Sequence, residues 1–498
     1  MKIEDLKKII VQIEQKFEVD KWEIQGVKIW PFIRIENYMQ LSYEALGEKP
    51  FPTKSYKFGI KIAKSKINQL FSKFVDFKKT SMLKSKDIAF LSDGMSFVFI
   101  KNKWYNKFYD PLETEFSSRG FSSIRLDLSH YFFVPRYSSS IFVQSDIDNI
   151  IIKNILLHKL IKPKLSCENW SDFEKFYSDK FVSENLLYIP NKDVLRIRIE
   201  KVIKLKNYYT KKLKRINPKI GFVVNYYGDD QMAFILACKE LNIPSVDIQH
   251  GVQGELHLGY GNWTKIPKVG YDQIPDYFWV WSQKEKETID KWNNLYGNHK
   301  VLIGGNLFND MWKENSSEIV QFFDDCFGFI KLNKEKKSIL LTLSPYTDSL
   351  MKETWEVVKE TQFKYNWLIR VHPGMIKEIQ NIENKLHKFG IINFEIVESS
   401  KLPLQTLLRN VNIHITCQSS CVIEAAEFGV KSIITSEYGK ALYEDQINLN
   451  NSFFMLPKIG IIEMIKEILH RKTEEKFIIQ KSKLNEKALD YLICNVLK

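Results

Sequence analysis

The sequence predicts an α/β protein: two doubly wound domains facing a cleft, with an N-terminal helical extension. Three observations carry that expectation. Residues 219–262 read strand, helix, strand. Residues 300–470 alternate strand and helix throughout. The length, 498 residues, exceeds what one hydrophobic core normally holds.

The stretch KIGFVVNYYGDDQMAFILACKELNIPSVDIQHGVQGELHLGYGN (219–262) sets the pattern. Ile220 to Val224 is an apolar, largely β-branched run that ends in a polar turn. Met232, Ile235, Leu236 and Leu241 share one face of the helix that follows, and Asn242-Ile243-Pro244 breaks it. Ser245 to Ile248 is a second strand and delivers Gln249-His250-Gly251. In parallel sheets the chemistry sits where strands end and helices begin. Those ends carry Tyr226, Tyr227, Asp229, Asp230, Gln249, His250, Glu255 and His257.

Taken in order, residues 1–86 form the extension. Its first residues read as an amphipathic helix with no apolar signal-peptide core. Trp30, Pro31 and Arg34 mark a helix start with Pro near its first turn. In 54–86, Ile60, Ile62, Ile67, Leu70, Phe71, Phe74 and Phe77 run through lysines at helical spacing. That pattern fits a helix lying on an anionic bilayer, and equally one packed on the next domain. Residues 87–299 form the first doubly wound domain, with a helical insertion at about 141–216. Residues 300–470 form the second. Its strands are expected in KKSILLTLSPYTD, NWLIRVHPGM, FEIVESS, VNIHITCQSS and KSIITSEYG, with Gly304-Gly305 as a tight turn before them. Residues 471–498 read as a C-terminal helix.

Composition excludes several classes. No run of about 18 apolar residues occurs, so nothing is expected to span a membrane and the expected location is the cytoplasm. Cys167, Cys238, Cys326, Cys417, Cys421 and Cys494 form no C-x-x-C pair, which fits free thiols in a reducing compartment. The formal charge of +13 suits nucleic acid, an anionic membrane surface or a phosphorylated substrate. No zinc finger, RNP-type strand or helix-turn-helix is present, so nucleic acid is set aside. Richness in Lys, Asn and Ile explains much of the charge without a partner.

Two groups of residues carry candidate chemistry. In the second domain, Ser419 and Ser420 precede Glu424 at a strand-to-helix turn, where backbone N–H groups and hydroxyls suit a phosphate. Taken alone, Ser there is an ordinary N-cap. Arg370 and His372-Pro373 end a neighbouring strand, and Thr342 and Ser344 end the domain's first. His372 suits a phosphate; Arg370 fits a structural role as well as a charge partner. In the first domain, Asp229 and Asp230 follow Gly228 at a helix start, where Asp also caps. The adjacent pair resembles metal ligands, but no third ligand is evident and no metal is expected. His250, Glu255 and His257 lie on a Gly-rich loop; His250 suits an acid or base.

Two doubly wound Rossmann-like domains facing each other describe the GT-B arrangement. IPSVDIQHGVQGELH, GYDQIPDYFWVW, VLIGGN, RVHPGM and SSCVIEAA, in that order, resemble bacterial capsule and lipopolysaccharide glycosyltransferases of GT-B fold. Among these the chain looks like the Kdo transferases of capsule and O-antigen assembly, and more distantly like polysialyltransferases and CDP-glycerol transferases. WYNKFYDPLE and WPFIRI are similar to segments of polysaccharide-biosynthesis proteins. The resemblance implies a metal-independent transferase without a cofactor, using a nucleotide-sugar donor, with a CMP-linked one favoured. The acceptor would be a polysaccharide or lipid-linked glycan, reached at the inner membrane through 54–86. It places the donor nucleotide's phosphate on His372-Pro373 and Ser419-Ser420, and the strand-end positions add Thr342, Ser344, Arg370 and Glu424 to the donor site. Asp229, Asp230, His250 and Glu255 would be catalytic, and Tyr226, Tyr227, Gln249 and His257 would meet the acceptor. In a retaining enzyme Asp229 or Asp230 would be the nucleophile. A glycerol- or ribitol-phosphate transferase and a non-catalytic glycan-binding scaffold are the alternatives.

Overall fold

In a computed structural model, the structure describes residues 3–44, 85–94, 96–129, 135–160, 167–168, 170–294, 296–313, 317–344, 352–471 and 484–498. The basic stretch 54–86 lies outside them, apart from its last two residues. The chain divides into two compact units: one holds residues 1–44, 49–307 and 483–498, the other 45–48 and 308–482.

The first unit is built on a seven-stranded sheet. Its strands are β1 (Ile88–Ser92), β2 (Ser123–Asp127), β3 (Ser140–Phe142), β4 (Ile220–Val224), β5 (Ser245–Ile248), β6 (Tyr277–Val280) and β7 (Lys300–Ile303). They lie in the order β7-β6-β5-β4-β1-β2-β3, and every pairing is parallel. The order reverses between β1 and β4, which in such sheets is where a crevice opens beyond the carboxyl ends. The central strand–helix–strand reading holds, with α6, Asp229–Glu240, between β4 and β5.

The helices that matter before it are α1 (Ile3–Lys16), α2 (Trp30–Glu44), α3 (Tyr109–Ser118), α4 (Gln144–Leu160) and α5 (Lys192–Ile216). The expected helical insertion at 141–216 therefore opens with the edge strand β3 and ends in α5, the crossover into β4. In α5, Leu195, Ile199, Val202, Leu205, Tyr209, Leu213 and Ile216 are buried at steps of three and four residues. The side chain of Asn191 caps its start, and Asn217 at φ 50° closes it.

Residues 484–498 return to this unit. Helix α9 (Leu484–Leu492) and the turn after it bury Ala488, Leu489, Leu492, Ile493 and Leu497 against Ile88, Phe90, Ile220, Phe222, Val246 and Trp279.

The second unit has five parallel strands: β8 (Ser338–Thr342), β9 (Asn366–Arg370), β10 (Ile413–Thr416), β11 (Lys431–Ile434) and β12 (Ser452–Phe454). Their order is β9-β8-β10-β11-β12, with the reversal between β8 and β10. FEIVESS does not form the expected strand. Glu395 makes a single bridge to Leu368, and its carboxylate then accepts from the N–H groups of Glu398 (2.7 Å) and Ser399 (2.8 Å), starting helix α7 (Val397–Lys401). The turn at Gly304-Gly305 leads into the helix Leu307–Lys313. Gly304 is required sterically: a Cβ there would lie 1.8 Å from the Trp279 ring. Among the described residues no helix is long and apolar enough to cross a membrane.

Candidate active site

The carboxyl edge of the first sheet is an aromatic cluster built around His257. Its ring lies 4.3 Å from Tyr38, 4.8 Å from Tyr260 and 5.2 Å from Tyr227, centroid to centroid. The Gly259 N–H donates to Nδ1 at 3.2 Å, so the ring proton sits on Nε2, which faces the Tyr227 hydroxyl at 3.3 Å. Burial keeps this imidazole neutral, with its pKa lowered to about 3.

His250 stands beside the cluster, its ring 6.3 Å from Tyr227. Its Nδ1 is shielded from solvent and has no hydrogen-bond partner. Burial lowers its pKa to about 4, against the pull of Asp93. The strand before it holds a residue the sequence reading passed over. Asp247 is 1 % exposed and lies among Tyr226 N (3.1 Å) and Tyr260 Oη (2.8 Å), with no cation bonded to it. Burial raises its pKa to about 8, against the hydrogen bonds it accepts from the Tyr260 hydroxyl and the Tyr226 N–H. A recess at the same edge is lined by Lys107, Phe108, Ile248, Trp279, Trp281 and Asn306.

The N-terminal helices brace this edge. Arg34 of α2 is fully buried; it pairs with Glu14 of α1 and donates to the carbonyls of Leu258 (2.9 Å) and Gly261 (2.7 Å). Its guanidinium lies 4.2 Å from the Trp263 ring. Glu14 also accepts from Trp30 Nε1 (2.9 Å) and Thr264 N (2.8 Å). WPFIRI therefore shapes the loop after His250 and has protein partners throughout.

Other candidates of the first unit are committed to the scaffold. Gln249 is buried, accepting from Trp281 N at 2.6 Å and donating to Gly251 O at 2.8 Å. The Tyr226 hydroxyl donates to Gly259 O. Asp229 is paired with Arg198 and Lys201 of α5; these outweigh burial and hold its carboxyl below the usual range. Asp230 accepts from Tyr209 Oη at 3.1 Å, and burial raises it to about 6. Glu255 lies outward and pairs with Lys291 and Lys7, so it is a surface ion pair.

The second sheet brings its expected residues to one carboxyl edge: Thr342 is in register with Arg370 and with Thr416. Two of them face inward. Thr342 Oγ1 bonds His414 Nε2 at 2.8 Å, and His414 Nδ1 bonds Ser432 at 2.9 Å. Arg370 donates to the carbonyls of Ser399 (2.7 Å) and Leu402, which braces the turn at 399–402. Ser344 is buried at the strand's end.

The others sit nearer solvent. His372 is exposed and accepts from Gly374 N at 3.1 Å through Nδ1, which puts its proton on Nε2 as a donor. Ser419 and Ser420 form the half-buried turn into α8 (Cys421–Glu427), and Ser420 makes no side-chain cap. Gln405 donates to Glu424 at 2.9 Å. Among the described residues no group of three or more His, Cys, Asp or Glu could hold a metal ion.

No family model and no curated protein matches the sequence. Solved structures do match. A UDP-GlcNAc 2-epimerase of Methanocaldococcus jannaschii, in complex with UDP-GlcNAc and UDP, covers 82% of this chain and 99% of its own at 15% identity, with a TM-score of 0.50. The Neisseria meningitidis enzyme bound to UDP-GlcNAc covers 82% and 100% at 13% identity, with a TM-score of 0.49. The first of these gives the class: a GT-B-like pair of Rossmann-like α/β domains. It also corrects one expectation. That structure holds UDP-GlcNAc and UDP, so the preference for a CMP-linked donor is withdrawn.

Proposed function

We propose that this protein is a nucleotide-sugar glycosyltransferase that moves a sugar onto a surface polysaccharide or lipid-linked glycan on the cytoplasmic side of the membrane. The observation that carries the reading is His250: an imidazole with an unpartnered Nδ1, two residues beyond β5 and beside the aromatic cluster of Tyr227, His257 and Tyr260. In this reading His250 takes the acceptor hydroxyl's proton. The freed oxygen attacks the anomeric carbon, and the electron pair of the breaking C–O bond leaves with the nucleotide phosphate. Tyr227 and His257 orient the acceptor. Ser419, Ser420 and the Nε2–H of His372 are the groups we assign to the phosphate, with Ser344 and Glu424 beside them. A uridine-diphosphate donor is the first to test, because the similar structures hold UDP.

A second reading is favoured by the same comparison: a nucleotide-sugar epimerase, which would use His250 on a sugar C–H instead. The two separate cleanly. A transferase releases nucleotide only with an acceptor glycan or by slow hydrolysis; an epimerase interconverts donor sugars with no acceptor. Thermal melting with UDP, CDP, GDP, ADP and CMP comes first. Ligand at about 100 times its Kd stabilises a native site by about 2.7 kcal/mol. We expect UDP to raise Tm and Ser419→Ala to weaken that response. No shift with any nucleotide would defeat both readings and favour a non-catalytic scaffold.

A further inference from the structure

The amino-terminal edge of the second sheet carries a surface that neither reading uses. Three loops build it: residues 329–337 before β8, 362–366 before β9, and 389–393 beyond the helix Ile379–Phe389. They interlock. Asn366 N donates to Lys337 O at 2.9 Å and Asn366 Nδ2 to Asn333 O at 2.8 Å. Gln362 Oε1 accepts from Ile392 N (2.8 Å) and Asn393 N (3.1 Å). These bonds hold the loops side by side.

The loops expose large apolar side chains: Phe329 is 84% exposed, Phe363 64% and Ile392 64%, with Phe389 beside them at 36%. A single exposed apolar residue needs no explanation, but four on interlocked loops form a patch of the kind that meets a partner. The surround is cationic. The three loops contain Lys331, Lys334, Lys336, Lys337 and Lys364 against one acid, Glu335, and are flanked by Lys359, Lys388, Glu360 and Glu395. Glu360 is itself paired with Lys458 at 3.1 Å. Lysine stems flank the rings: Lys359 Nζ lies 5.3 Å from the Phe389 centroid. Apolar tips ringed by lysines match a layer that is apolar within and anionic at its face.

We propose that this edge docks on an anionic lipid bilayer. Phe329, Phe363 and Ile392 enter the headgroup layer, and the lysines around them meet lipid phosphates. This contact goes beyond the proposed enzymatic activity and is separate from the basic stretch 54–86.

The test is co-sedimentation of the full chain with phosphatidylcholine vesicles, with and without about one-third phosphatidylglycerol. Wild type is expected to bind the anionic vesicles preferentially and to be released by about 0.5 M salt. The triple variant Phe329→Ser, Phe363→Ser, Ile392→Ser, with an unchanged melting curve, is expected to lose binding about tenfold or more. Three results would overturn the proposal: no binding by wild type; equal binding by the triple variant, which would move docking elsewhere in the chain; or a wild-type dimer that the triple variant splits without vesicles, which would make this a protein interface.

Discussion

The two carboxyl edges are built from opposite materials. The first is the drier: His257, Asp247, Tyr226 and Tyr260 are buried, with His250 and Tyr227 half-buried beside them. On the second the groups are small hydroxyls near solvent, Ser419 and Ser420, with an exposed His372. The first edge is held by distant chain, since Glu14 and Arg34 bond the loop at 258–264 across more than two hundred residues. The second is held by turns of its own, as when Ser419 N donates to Thr416 Oγ1 at 3.2 Å. A dry edge favours proton transfer under controlled pKa; a wet, hydroxyl-lined edge favours a charged ligand that is bound and released.

The contrast can be broken most strongly at His250. His250→Ala should lower turnover by about 10²- to 10⁴-fold while nucleotide-induced stabilisation persists. Loss of both together would erase the division of labour between the edges. Next, Arg34→Ala leaves Glu14 buried without its cation and should cost about 3–5 kcal/mol in denaturant unfolding. Little change there would mean that remote bracing does not build the dry edge. The smallest effect is a pH signature at Asp247. Its pKa is raised in the folded state, so its stabilising contribution is full below about 4 and is lost as pH rises toward about 8. The lowered pKa values of His250, His257 and His414 act the other way, removing stability as pH falls below about 6.5. Asp247→Asn mimics the protonated acid, so the variant should gain on wild type as melting is followed from pH 5 to pH 8. A constant difference between the two would show that Asp247 is ionised throughout.

Local pattern made much of this legible. The runs IGFVV and SVDI form the strands they spell. What escaped was what partners decide. Asp229 looks catalytic until Arg198 and Lys201, about thirty residues earlier in the chain, arrive to neutralise it. Asp247 hides inside an apolar strand, and only the tertiary fold shows that nothing cationic bonds it. FEIVESS has strand-like residues, but capping by Glu395 turns it into a helix.

Helix α9 and the turn after it have a further consequence, one for biosynthesis. Leu489, Leu492 and Leu497 complete a core whose other walls, Phe90 and Phe222, are translated hundreds of residues earlier. Apart from residues 45–48, the second unit is translated as one stretch, 308–482, and has its five strands before that happens. The first unit's sheet is thus made before the second unit yet closes after it, and the nascent chain must shelter an open apolar face until residues 484–498 emerge.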